Sequence, residues 1–167
     1  MSIRRICSIA TLFAILLVGS RRAPFILVSG NSMEPTYQNE QFVGVKYNTS
    51  NLKRGDVAIF KQAVHSSIDE KLIKRVCGIP GDDVYIDEDG VFFIYDATSD
   101  CVYYYNGDYS KDQLLETSTY QYTLETDEYF FMGDNRDESL DSRNFGAIKH
   151  DKIIATVSNS YVEPEAL

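Results

Sequence analysis

Histidine occurs only twice in this chain, as His65 and His150, and cysteine only three times, as Cys7, Cys77 and Cys101. The two histidines stand far from each other and from any cysteine, which disfavours both a zinc site and a Ser-His-Asp arrangement. A general base must then be another residue type. There is no CxxC spacing, and only Cys77 and Cys101 lie beyond the N-terminal segment, so at most one bridge, between those two, is conceivable. Basic runs are also missing. With 16 Lys+Arg against 25 Asp+Glu the formal net charge is -9, which argues against nucleic acid, whose phosphates need clustered cations. No internal repeat and no Pro-rich or Gly/Ser-rich linker divides the 167 residues, a length suited to one domain with a sizeable core.

The N-terminus has the character of an anchor. After Arg4 and Arg5 an uncharged run of 15 residues, ICSIATLFAILLVGS from Ile6 to Ser20, is closed by Arg21 and Arg22. As a helix it would rise about 22 Å, short of a hydrocarbon core of roughly 30 Å. The flanking arginines can snorkel to the headgroups, and the following APFILV can lie at the interface. The expected order is a cytoplasmic end at 1–5, a transmembrane anchor at 6–22 and an extracytoplasmic domain at 23–167. A cleavable signal peptide ending Val18-Gly19-Ser20 is the competing reading. Positive-inside counting barely separates the two orientations, with two arginines on either side.

From Glu40 onward, short runs rich in Val, Ile, Phe and Tyr alternate with Gly, Asn and Asp, the pattern of strands and turns. The candidate strands are QFVGVKY, DVAIFK, KLIKRVCG, DVYID, GVFFIYD, VYYYN, YQYTLE, EYFFMG and IIATVSNSYV. One helical turn after Ser32 is expected, with Pro35 at an early helical position. The Tyr-rich segment from Ala97 to Asp127 reads as strands and loops added to the main sheet.

Four stretches could carry chemistry: GNSMEPT at 30–36, RGDVAIF at 54–60, KLIKRVCGIPGDDV at 71–84 and GDNRDESLDSRNFG at 133–146. Taken singly each has a bland reading. A serine between Gly, Asn and Pro usually shapes a turn or caps a helix, a lysine among hydrophobic neighbours usually lies on a solvated strand face, and an Asp/Arg-rich loop usually ties itself with salt bridges. Arg54-Gly55-Asp56 leads directly into an apolar strand, so an adhesion tripeptide is discarded.

In this order, behind one membrane segment, the four stretches resemble those of the bacterial type I signal peptidases, Ser-Lys proteases of the membrane surface, in their shorter Gram-positive form. GNSMEPT corresponds to the nucleophile motif, IKRVCGIPGD to the lysine motif, and GDNRDESLDSR completes the set. The resemblance implies a mainly β fold of coiled antiparallel sheets after one N-terminal transmembrane helix, removal of signal peptides from exported preproteins, and no cofactor or metal. Its implied partners are those signal peptides, membrane lipid and the neighbouring secretion translocon.

It further implies Ser32 as nucleophile and Lys74 as general base. A free lysine with pKa about 10.4 is neutral in only roughly 1 molecule in 2,500 at pH 7, so burial must lower it to about 7 to 8. Ser139 is implied to orient the lysine amine, while Asp134, Arg136, Asp141 and Arg143 support the loop. The backbone N–H of Ser32 is the implied oxyanion donor. Gly30 stands where some family members have a serine that provides a second donor. Small-x-small substrate ends would meet Val28, Met33 and Ile73, with the substrate added as a strand to edges near 26–30 and 71–74.

Two other readings share parts of this pattern. A self-cleaving repressor would have similar SMEPT chemistry but a DNA-binding or soluble N-terminal arm, where this chain has an apolar run. A catalytically idle homologue that assists assembly of secreted or pilus subunits would be expected to lack Ser32 or Lys74, and both are present.

Overall fold

The computed structural model describes residues 25–64, 68–86, 92–103 and 110–159. The expected cytoplasmic end and anchor lie outside the described residues, and among those described no helix is long and apolar enough to cross a membrane.

The described residues are mainly β and form two antiparallel sheets. The larger has the order β1-β2-β11-β3-β4-β9-β10, built from β1 Phe25–Leu27, β2 Phe42–Lys46, β3 Val57–Ala63, β4 Asp69–Gly78, β9 Glu128–Met132, β10 Ile148–Lys149 and β11 Ile153–Val157. The smaller runs β7-β6-β5-β8, from β5 Asp83–Ile86, β6 Phe92–Asp96, β7 Cys101–Tyr103 and β8 Thr119–Thr123. Two short helices complete the set, α1 Lys111–Thr117 and α2 Ser142–Phe145.

β3 shows why the larger sheet forms the body of the protein. Val57, Ala58, Ile59 and Phe60 are all buried. Because side chains alternate in direction along a strand, Val57 and Ile59 join one apolar cluster with Val28, Met33 and Ile73, while Ala58 and Phe60 join another with Val76 and Phe131. A strand covered on both faces reads as a continuous hydrophobic run. Cys77, Phe130 and Met132 of the larger sheet pack with Val84 and Ile94 of the smaller one. Arg54 fixes the same junction from the polar side. Its guanidinium binds Asp82 through both terminal nitrogens, reaches Asp96 at 3.3 Å, and lies 4.2 Å from the centre of the Tyr103 ring. This buried arginine is a structural tie, consistent with discarding an adhesion tripeptide.

Three expectations change. The Tyr-rich segment contributes β7 and β8 to the smaller sheet rather than strands to the main one, and it contains α1, whose Leu114 packs on Phe93 and Val102. The signal for α1 is a capping box: Ser110 Oγ accepts from the Gln113 N–H at 3.3 Å, and Gln113 Oε1 accepts from the Ser110 N–H at 2.9 Å. Cys77 and Cys101 are free thiols, the former buried, so the conceivable bridge does not form. After Ser32 the chain makes the single turn expected, closed by Tyr37 N–H donating to Met33 O at 2.8 Å, but a cis Glu34–Pro35 peptide inside it takes Pro35 out of a helical position.

Candidate active site

Ser32 sits in the loop between β1 and β2. Gly30, at φ +90°, starts that loop in a conformation that favours glycine, and its N–H donates to Asn39 Oδ1 at 2.8 Å. Met33, with no exposed surface, pins the next residue into the core. The Ser32 carbonyl accepts from the Asn135 N–H at 3.1 Å, and Asn135 Nδ2 donates to Asn31 O at 3.3 Å. Together these contacts fix both sides of the serine.

Lys74 lies on β4 opposite Ala58 of β3. It is 4% exposed, and its Nζ hydrogen-bonds Ser32 Oγ. Burial lowers its pKa from the ordinary lysine value to about 8, against the carboxylates of Asp141 and Asp134, which pull it up, and with a smaller downward push from Arg143. Desolvation is the largest of these effects. At pH 7 about one molecule in ten then carries the neutral amine, roughly two hundredfold more than for a free lysine.

The surrounding loop is held by two arginine–carboxylate forks. Arg75 Nε and Nη2 donate to Asp134 at 2.7 and 2.6 Å, and Arg75 Nη1 donates to Gly55 O at 2.7 Å. Arg143 donates to Asp141 through Nε at 2.9 Å and Nη2 at 3.1 Å, and to Arg136 O at 2.6 Å. Asp141, fully buried, also accepts from the Gly133 N–H at 2.9 Å and caps α2. Burial pushes the Asp141 carboxyl up, but hydrogen bonds from Arg143 and Gly133 and the nearby Ser139 hydroxyl bring it below the usual carboxylate range. Arg136 meets Met132 Sδ at 3.5 Å through Nη1.

Ser139 Oγ is buried. It is near enough to Asp141 to influence its ionisation, yet it has no partner of full hydrogen-bond geometry. It abuts Gly133, where a Cβ would overlap Ser139 Oγ and stand 2.5 Å from Ser32 O.

A cleft of about 360 Å³ opens beside the pair, lined by Ile26, Leu27 and Ser29 from the β1 side, Ile59 from β3, and residues 71–74 of β4, with Ser32 and Lys74 at one end. Both long walls are strand edges. β1 ends the larger sheet, and β4 pairs with β9 only from Arg75 onward, leaving 69–74 unpaired on that side. Ile73 lines the cleft, whereas Val28 and Met33 lie in the core that backs it.

The chain matches the family model described as "Signal peptidase, peptidase S26" over residues 2–162. The chain belongs to the signal peptidase family. Signal peptidase IB of Staphylococcus aureus is 32% identical, the match covering 92% of this chain and 85% of that protein. Signal peptidase I P of Bacillus subtilis subsp. natto is 36% identical, covering 89% and 81%. A crystal structure of a signal peptidase I from Enterococcus faecalis V583 aligns with TM-score 0.40 at 22% identity, covering 70% of this chain and 100% of that one. In this signal peptidase chain, Asn135, Gly133 and Arg75 hold the site without having been singled out from sequence. All three lie inside or beside the quoted motifs, but their roles depend on contacts across the sheet.

Proposed function

We propose that Ser32 is the nucleophile and Lys74 the general base with which this signal peptidase family member removes signal peptides. The observation that carries this is the contact between Lys74 Nζ and Ser32 Oγ inside a buried site. The neutral amine takes the serine proton as Oγ attacks the scissile carbonyl carbon, and the resulting ammonium returns a proton to the leaving amine. A water then attacks the acyl-enzyme and releases the cut signal peptide. Among the described residues no acceptor takes the Ser32 N–H, so it is available to the oxyanion. Ser139, its Oγ buried against Gly133, has the role of orienting the lysine through its hydroxyl, and the Asp141–Arg143 and Arg75–Asp134 forks keep the loop in register. Asp134, Arg136, Asp141 and Arg143 are thus support, and Val28, Met33 and Ile73 shape the floor on which small side chains rest.

The substrate lies extended between the edges of β1 and β4, its main chain satisfied by both and its small residues over Ile59 and Ile73. Both members of the dyad are in contact, which favours an active enzyme over an idle assembly factor. The apolar run at Ile6–Ser20 anchors the chain in the cytoplasmic membrane, with its N-terminus cytoplasmic and its catalytic domain outside, close to lipid and to the secretion translocon. Phe25, Leu27 and Phe42, exposed by 59%, 52% and 73%, support that placement, because Leu27 is paired with Phe42 and shares its face with Phe25.

The test is reconstitution of the full-length chain in vesicles with a preprotein. Wild type should cleave, while Ser32→Ala and Lys74→Ala should not, and cleavage by either variant at the wild-type rate would sink the dyad. N-terminal sequencing of the membrane-extracted protein checks the anchor, since loss of residues 1–20 would mean a cleaved leader.

A further inference from the structure

Two lysines lie directly opposite each other on the β3–β4 ladder, beyond the pair Ile59 and Ile73. Lys61 on β3 pairs with Lys71 on β4, and both are exposed. Two positions inward, the same ladder pairs Ile59 with Ile73. Side chains two residues apart share a face of a strand, so the lysine pair continues the face that forms the apolar floor. Lys71 itself lines the cleft.

Like charges directly opposite on a ladder are destabilising, and this chain has an acidic excess, 25 against 16, with which to neutralise them. Among the described residues neither lysine has an ion-pair partner. Asp69, the carboxylate next along the same face, is engaged by Lys152 at 3.2 Å. The dication is thus left open to whatever occupies the cleft.

Resting on the peptidase reading above, we propose that Lys61 and Lys71 form a cationic subsite that selects an acidic side chain on the substrate, five residues before the scissile bond. In an extended substrate the first, third and fifth residues before that bond share a face. Lys74 is one residue from Ile73 and three residues, about 10 Å, from Lys71 along β4. With the scissile carbonyl at Ser32, the third residue rests against Ile59 and Ile73, and the fifth reaches the lysine pair. The fourth points to the opposite face. The same field repels lysine or arginine at the fifth position, so the chain discriminates among signal peptides that share the small-x-small end.

The experiment uses the full-length enzyme in detergent and a set of internally quenched signal-peptide mimics carrying Asp, Ala or Lys at the fifth position, with a matched set at the fourth. Wild type should prefer Asp over Lys at the fifth position by roughly three- to tenfold in kcat/KM, mainly through KM, because two exposed charge pairs contribute modestly. The preference should shrink with added salt, and it should invert in the Lys61→Glu, Lys71→Glu double variant. The fourth-position set should show no such dependence. Ser32-dependent cleavage without charge dependence at the fifth position overturns the subsite and leaves the peptidase reading intact. A double variant that keeps the peptide preference but loses stimulation by anionic phosphatidylglycerol vesicles assigns the lysines to lipid headgroups and also overturns it. Failure of wild type to cleave any member overturns the peptidase reading, and the subsite with it.

Discussion

The N–H of Asn135 donates to the carbonyl oxygen of Ser32 at 3.1 Å, joining the Ser32 loop to the loop after β9. Gly133 makes the same junction possible by having no side chain, because a Cβ there would stand 2.5 Å from Ser32 O and overlap Ser139. Real Cβ atoms do not approach backbone oxygens so closely, and here the obstructing atom cannot swing away. Gly133→Ala should therefore displace Ser32 from Lys74. The expected result is a fall in kcat on the order of a hundredfold or more, since a displacement near 1 Å is enough to cost that much. Single-turnover cleavage of a signal-peptide substrate measures it, and wild-type kcat in the alanine variant would show that the two loops pack less tightly than described.

Lys74, as the proposed base, sets the expected pH profile. Its amine is a base only when neutral, and burial brings its pKa to about 8. Activity should rise with pH below that value, with a slope of one proton, and level off above it. A kcat/KM profile on a peptide without titrating groups gives the apparent pKa. A limb near the ordinary lysine value would mean that the amine is solvated in the working enzyme.

Much of this site is legible in sequence because its chemistry is concentrated in short local motifs. Ser32, Lys74, Asp141 and Arg143 can be put forward before any coordinates, not because any one of them is distinctive alone but because the motifs that carry them occur together and in order. The second sheet is not legible in this way. Whether β8 pairs with β5 or with the main sheet depends on register between Thr119–Ile86 and Thr123–Asp83, which no local pattern specifies. Three-residue strands such as β1 are also too short to show alternation, so FIL reads equally well as an interfacial segment. Gly133 and Asn135 look like ordinary loop residues until the nucleophile loop is brought against them.

The Asp141–Arg143 fork should be intolerant of conservative change. Asp141 is fully buried and holds Arg143, the Gly133 N–H and the first turn of α2 together. Arg143→Lys keeps the charge but cannot make two parallel bonds and reach Arg136 O as well. Removing one partner of a buried pair costs about 3–5 kcal/mol, discounted here because Arg143 is 24% exposed. Thermal unfolding of Arg143→Lys should show a loss of roughly 1–2 kcal/mol, with Asp141→Ala the more severe. Equal stability of wild type and both variants would remove the fork from the scaffold.

Arg54 offers a comparison away from the chemistry. It is buried against Asp82 and Asp96 where the two sheets meet. Arg54→Met leaves the Asp82 charge buried with only the Ile79 N–H, at 2.7 Å, to hold it, so a loss of roughly 3 kcal/mol is expected, while the further change Asp82→Asn should restore part of it. Denaturant unfolding of both variants measures the coupling. Additive losses in the double variant would mean that the two residues do not act as a pair.

Lys74, the proposed base, should itself weaken the fold. Its folded-state pKa of about 8 lies below the 10.5 of an ordinary lysine, so between those pH values the unfolded chain binds a proton that the folded chain does not. Stability therefore rises with pH through that window, and below it the folded state carries the full cost of a buried ammonium. That cost is roughly 3 kcal/mol at 1.36 kcal/mol per unit. Lys74→Met, which fills the same space without a charge, should be inactive yet more stable than wild type at pH 7, by an amount approaching that figure. The gain should fade as the pH is raised toward that of a free lysine. Denaturant melts of the two proteins at pH 7 and pH 10 check both parts. A methionine variant no more stable than wild type at pH 7 would mean that the amine is solvated well enough in the folded chain to keep an ordinary lysine pKa.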